Sequence, residues 1–150
     1  MTPKHVVTAA VSALIFAIGL GTSAAQRDLA AELTGRWEGT QQQLGAVRGG
    51  ETANRERVLL VRSVKRSGEG WSVDASYGLP GEKLARFRGR SARLQETGEG
   101  VVLTLTYSSG TYVTLQLSQK DWLQGHHQPA QGGARDRAIS LKRVSTRPTE

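Results

Sequence analysis

The chain has 150 residues, a formal net charge of +7 and no cysteine. Without cysteine there is neither a disulfide staple nor a lipid-bearing residue, so the domain must be held by its core alone. The basic residues are mostly arginine and are spread along the chain, which raises solubility and non-specific attraction to anionic surfaces without defining a site. Charge alone would allow nucleic acid, but the export read below leaves no nucleic acid expected as a partner.

Residues 1–5 make a short basic start, 6–20 an uncharged apolar run, and 21–25 a stretch of small residues. That order is an export signal with cleavage expected after Ala25. The apolar run is shorter than the roughly 20 residues of a spanning helix, which favours cleavage over a retained anchor. The expected location is therefore the periplasm or outside the cell, with the membrane met only in transit. What remains is one domain over 26–144 and a polar tail over 145–150 that is expected to be disordered.

Residues 26–33 carry Leu29, Ala30 and Leu33 at helical spacing, enough for about two turns. Gly35 ends the helix, and 36–43 reads as a first strand with Trp37 on one face. A glycine-rich charged loop over 45–54 is the expected mobile element. Residues 57–64 are apolar without interruption at their centre, as in a strand covered on both faces. After a turn at 67–70, Trp71, Val73, Ala75 and Tyr77 alternate with Ser72, Asp74 and Ser76. Residues 84–89 and 91–96 follow, with Phe87 opposite Arg86 and Arg88, and Gly89 placed for a bend. Residues 101–107 and 111–118 alternate across a tight turn. The segment 121–128 holds Trp122, Leu123 and His126-His127, the histidines being expected in a polar, partly exposed turn. A flexible loop is expected over 131–136, and 138–144 closes the domain with Ile139 and Leu141 on the core face. These elements predict an all-β, antiparallel up-and-down barrel of about eight strands with a short N-terminal helix.

Gly35-Arg36-Trp37 after a short helical turn, with Lys142 or Arg143 near the chain's end, resembles the opening and closing strands of lipocalins and their calycin relatives. It is also similar to small bacterial periplasmic barrels with a Gly-x-Trp-x-Gly start. The resemblance implies a basic side chain stacked on Trp37, sealing one end of the barrel. Arg143 shares the face of Leu141 and is the expected partner.

Catalytic chemistry finds little support. There is no Gly-x-Ser-x-Gly, and outside the signal the only histidines are an adjacent pair whose rings would leave opposite faces of a strand. No enzyme, metal or cofactor is expected. Arg86, Arg88 and Arg90 at period two would suit an acidic ligand if they faced inward, but a solvated sheet edge is the favoured reading. Trp71, Tyr77, Phe87 and Trp122 are the candidate ligand wall, and Trp37 with Arg143 the structural closure. An eight-stranded interior either fills with side chains or holds one small ligand. The expected function is binding of a small hydrophobic or amphipathic molecule. The alternative is a non-catalytic structural or interaction module with an envelope protein as partner.

Overall fold

Alternation of side chains at period two makes strands of most of the chain. The computed structural model describes residues 27–43, 54–130 and 137–149. The expected export signal, nearly all of the loop expected over 45–54 and the loop expected over 131–136 lie outside the described residues. A five-residue helix α1 (Leu29–Leu33) precedes nine strands. These are β1 (Gly35–Gln42), β2 (Asn54–Ser67), β3 (Gly70–Gly78), β4 (Ala85–Arg88), β5 (Ala92–Thr97), β6 (Gly100–Thr106), β7 (Tyr112–Gln119), β8 (Trp122–Gln128) and β9 (Arg137–Ser145).

The sheet order is β4-β3-β2-β1-β9-β8-β7-β6-β5. Every neighbouring pair is antiparallel. The pairing of β1 with β9 joins the two halves of the meander, so the protein is a nearly closed up-and-down barrel. A seam remains between the β3–β4 side and β5, where a 3-10 turn at Gly89–Ser91 carries the chain across. Gly89 has φ of 55°, the left-handed conformation that glycine adopts without steric penalty. The segments expected over 84–89 and 91–96 are β4 and β5, on opposite sides of the seam, with the bend at Gly89 between them.

The long strand β2 is apolar on both faces for a structural reason. Leu59 and Val61 face the interior, while Val58 and Leu60 face outward and are nonetheless buried. Pro80 and Leu84 of the β3–β4 connection share one outer depression with Val58. Inside the barrel, Trp37, Leu59, Ala75, Leu103, Leu105, Val113, Leu115, Leu123 and Leu141 lie at or near zero exposure, and Leu29 and Leu33 of α1 join them. This interior is packed with side chains.

Two glycines occupy inward positions beside β9. A Cβ at Gly39 would run into the Ser140 carbonyl oxygen and come within 2.9 Å of Leu141 Cα. A Cβ at Gly125 would run into the Thr114 carbonyl and come within 2.9 Å of Leu115 Cα. Glycine at both places lets neighbouring backbones approach where the sheet bends round to close.

Two expectations are corrected. Trp122 points outward, 37% exposed, because Leu123 fills the inward position that begins β8. Its ring lies under the Lys142 ammonium, 5.8 Å away, on the outer surface. The histidine pair lies within β8 rather than in a turn, so His126 points out and His127 in. Beyond Ser145, Arg36 Nη1 donates to the Thr149 carbonyl at 3.1 Å.

Candidate functional site

The two ends of the barrel differ in chemistry. At the first, α1 caps the interior. Asp28 begins the helix by accepting from Ala31 N at 3.0 Å, and Leu29 and Leu33 turn inward. Trp37 is fully buried beneath them, and its indole Nε1 donates to the Leu33 carbonyl at 2.9 Å. The Arg143 guanidinium lies 5.3 Å from the Trp37 ring. It donates from Nη1 to the carbonyls of Ala31 at 2.7 Å and Thr34 at 3.4 Å, which are orphan acceptors at the helix C-terminus. Its Nε donates to Asp121 Oδ1 at 2.6 Å, and Nη2 pairs with the same carboxylate. Asp121 has φ of 64° and is held a second time by its own carbonyl, which accepts from Arg143 N at 2.9 Å. This end is closed, with the Trp37 indole and the Arg143 guanidinium both bonded to the protein's own carbonyls and carboxylate.

The far end carries a polar cluster. Continuing the inward faces of four strands away from α1 leads from Trp37 through Gly39 to Gln41, from Leu59 back to Arg57, from Leu123 through Gly125 to His127, and from Ile139 back to Arg137. Gln41 is only 1% exposed. Its Oε1 accepts from Arg57 Nε at 3.0 Å and from Tyr77 Oη at 3.1 Å. His127 and Arg137 face each other directly across β8 and β9. Tyr107 follows Leu105 on the inward face of β6 and packs edge-on to Phe87, with ring centroids 4.9 Å apart.

The electrostatics tie these groups together. Burial pushes the Tyr77 hydroxyl far above its ordinary range, with the Arg57 charge pulling weakly the other way. Tyr107 is raised for the same reason and is opposed by the same arginine. His127 is lowered by burial, then by the charges of Arg137 and Arg57. It is therefore a neutral imidazole at neutral pH, and its Nδ1 is buried with no hydrogen-bond partner. Among the described residues, no carboxylate forms an ion pair with Arg57 or Arg137.

The arginines of the outer surface behave otherwise. Arg86 and Arg88 both pair with Asp74, at 2.8 and 3.2 Å, along the edge formed by β4. Arg36 pairs with Glu38 at 2.6 Å. Solvated, paired charge on an edge strand discourages further strand addition and needs no ligand.

The residues expected to form one ligand wall are scattered. Trp71 lies at the seam toward the closed end, where its Nε1 donates to Glu96 Oε1 at 3.0 Å and the Arg66 guanidinium lies 4.8 Å from its ring. Trp122 is on the outside. Only Tyr77 and Phe87 come near the far-end cluster, Phe87 through Tyr107. Arg57, Gln41, His127 and Arg137 were not singled out as a site from sequence. The signal was present as the same period-two count that placed the core, carried one step past the last apolar residue of each strand. Among the described residues, no three histidine, cysteine, aspartate or glutamate side chains gather as metal ligands would.

No family model, curated protein or solved structure matches the chain, so its class is defined by architecture alone, as a nearly closed, nine-stranded up-and-down β-barrel.

Proposed function

We propose that the chain is an exported, lipocalin-like binding protein that takes a small amphipathic molecule at the far end of its barrel, in the periplasm or outside the cell. The observation that carries this reading is the change of interior chemistry along the barrel axis. Packed aliphatic and aromatic side chains give way to Gln41, Arg57, Tyr77, His127 and Arg137. Buried or half-buried polar groups cost stability unless they are satisfied, so a cluster with a partnerless imidazole nitrogen and two arginines that no described carboxylate pairs is a poor choice for structure alone. Phe87 and Tyr107, with Arg86, Arg90 and Ser91, line a depression of about 510 Å³ at the seam, room for an apolar portion of modest size. With the core filled, this reading puts the ligand at the rim rather than deep inside.

A second reading draws on that filled core. A barrel without an interior void would serve as a non-catalytic structural or interaction module docking on an envelope protein. Native mass spectrometry of the protein purified gently from its own host, set against a denaturing run, separates the two. A discrete extra mass that leaves on denaturation is expected for a binding protein. A bare polypeptide that also takes up no hydrophobic fluorescent probe would overturn that reading and leave the interaction module.

A further inference from the structure

Resting on the binding-protein reading, we propose that Arg57, His127 and Arg137 together receive the anionic head group, carboxylate or phosphate, of the amphipathic ligand. Three observations on the barrel lead there. First, the bonds of Arg57 to Gln41 and to the Glu56 carbonyl use two of the five N–H donors of a guanidinium. Gln41, itself anchored by Tyr77, fixes the plane of that guanidinium, so the remaining donors are pre-aimed rather than free to swing. Second, Arg137 is directly opposite His127 on the same face, and the Arg57 charge is felt at His127, Tyr77 and Tyr107 alike. The cations therefore converge on one region. Third, no described carboxylate pairs with either arginine, although Arg36, Arg86, Arg88 and Arg143 are all matched to acids. An oxyanion supplies the missing charge and accepts the donors left over.

His127 gives the site a proton-linked response. As a neutral imidazole it faces the charges of Arg137 of β9 and Arg57 of β2, and among the described residues no negative group acts on it to favour the imidazolium. A bound anion reverses that balance and raises the histidine's proton affinity. Binding then takes up a proton and tightens as pH falls, until the ligand's own head group protonates.

The experiment is calorimetric titration of the host-purified protein, after removal of any carried molecule, with dodecanoate, dodecyl phosphate, dodecanol, dodecyltrimethylammonium and inorganic phosphate. The expected result is that dodecanoate or dodecyl phosphate binds at least about tenfold more tightly than dodecanol, with the cationic probe weakest. The ratio of the two anions identifies the head group, and inorganic phosphate measures what the head contributes alone. Arg57→Gln and Arg137→Gln should each weaken the anionic probe by about tenfold or more, whereas Arg93→Gln on the outer face of β5 leaves it unchanged. Because Arg57→Gln loosens Gln41, Arg137→Gln at the strand's rim keeps the test valid if the first variant folds poorly. The His127 ring, followed by NMR, should titrate at higher pH with the anion bound. Dodecanol binding as tightly as dodecanoate would overturn the head-group assignment while leaving a binding protein. Failure of every probe to bind would overturn both.

Discussion

Replacing Arg143 with methionine is the sharpest probe of the fold, because so much of the closed end converges on one side chain. The guanidinium is 10% exposed, stacks on a fully buried indole, and satisfies the Ala31 and Thr34 carbonyls and the Asp121 carboxylate. Methionine retains most of the apolar stem but strands those acceptors. Removing one partner of a buried ion pair costs about 3–5 kcal/mol. Asp121 is 36% exposed and can recover water, which pulls the figure down. The lost contact with the indole adds back about 1 kcal/mol. A net loss of about 3 kcal/mol is expected, or about 10 °C in Tm for a domain of this size. Arg143→Lys separates charge from shape. A lysine ammonium keeps the charge but lacks the planar fork, so it should recover about half of the loss. Urea unfolding followed by tryptophan fluorescence measures all three proteins. A loss below about 1 kcal/mol for Arg143→Met would show that the residue is an ordinary surface arginine and that α1, not the clasp, seals the barrel.

Gly125→Ala should destabilise by at least about 2 kcal/mol, since the new Cβ meets strand backbone that cannot rotate away, while Gly98→Ala, with open space around it, should be near neutral. Trp122→Ser should change stability by less than about 1 kcal/mol and leave ligand uptake intact, in keeping with its outward position on β8. His127 has a folded-state pKa below its ordinary value of about 6.5, so the unfolded chain binds more protons on acidification. Its contribution to stability is therefore complete above that value and is lost as pH falls from there toward the folded pKa. His127→Gln should show a smaller loss over that interval in urea titrations at successive pH values, and an unchanged pH profile would contradict the burial of the ring.

Much of the barrel was legible because its strands obey a simple alternation. Val101, Leu103 and Leu105, or Val113, Leu115 and Leu117, are buried at every second place with polar residues between. A cation over Trp37 is what the calycin resemblance implies, and counting chose Arg143 over Lys142: Leu141 is inward, so Arg143 is too, and the β1–β9 register sets it opposite Trp37. Trp122 misled because size suggested burial, whereas the parity of β8 is set by Leu123. That parity is hard to see, since the next inward positions are Gly125, which has no side chain to mark a face, and His127, which is polar. The far-end cluster was hidden for a related reason. Arg57 and Arg137 have the parity of Leu59 and Ile139, but charge at a strand end reads as solvent-exposed, and only the pairing of the strands shows that they meet Gln41 and His127.

That placement has a thermodynamic consequence. Arg143 at the closed end and Arg36, Arg86 and Arg88 on the outer surface are matched to acids, while the far end gathers Arg57, Arg137 and a desolvated imidazole with no described acid among them. Charge of one sign on one side of a barrel destabilises it, and natural proteins retain such arrangements where a ligand relieves them. Arg137→Gln should therefore raise the stability of the empty protein by about 0.5–1 kcal/mol and, by removing the nearest cation, lift the titration of His127. The same change should weaken uptake of an anionic amphiphile, so that ligand stabilises wild type more than the variant in thermal melts. A structural arginine would give the opposite signs, with the variant less stable when empty and equally responsive to ligand. The two quantities, stability without ligand and stabilisation by it, moving in opposite directions on one substitution is a behaviour that packing alone does not produce.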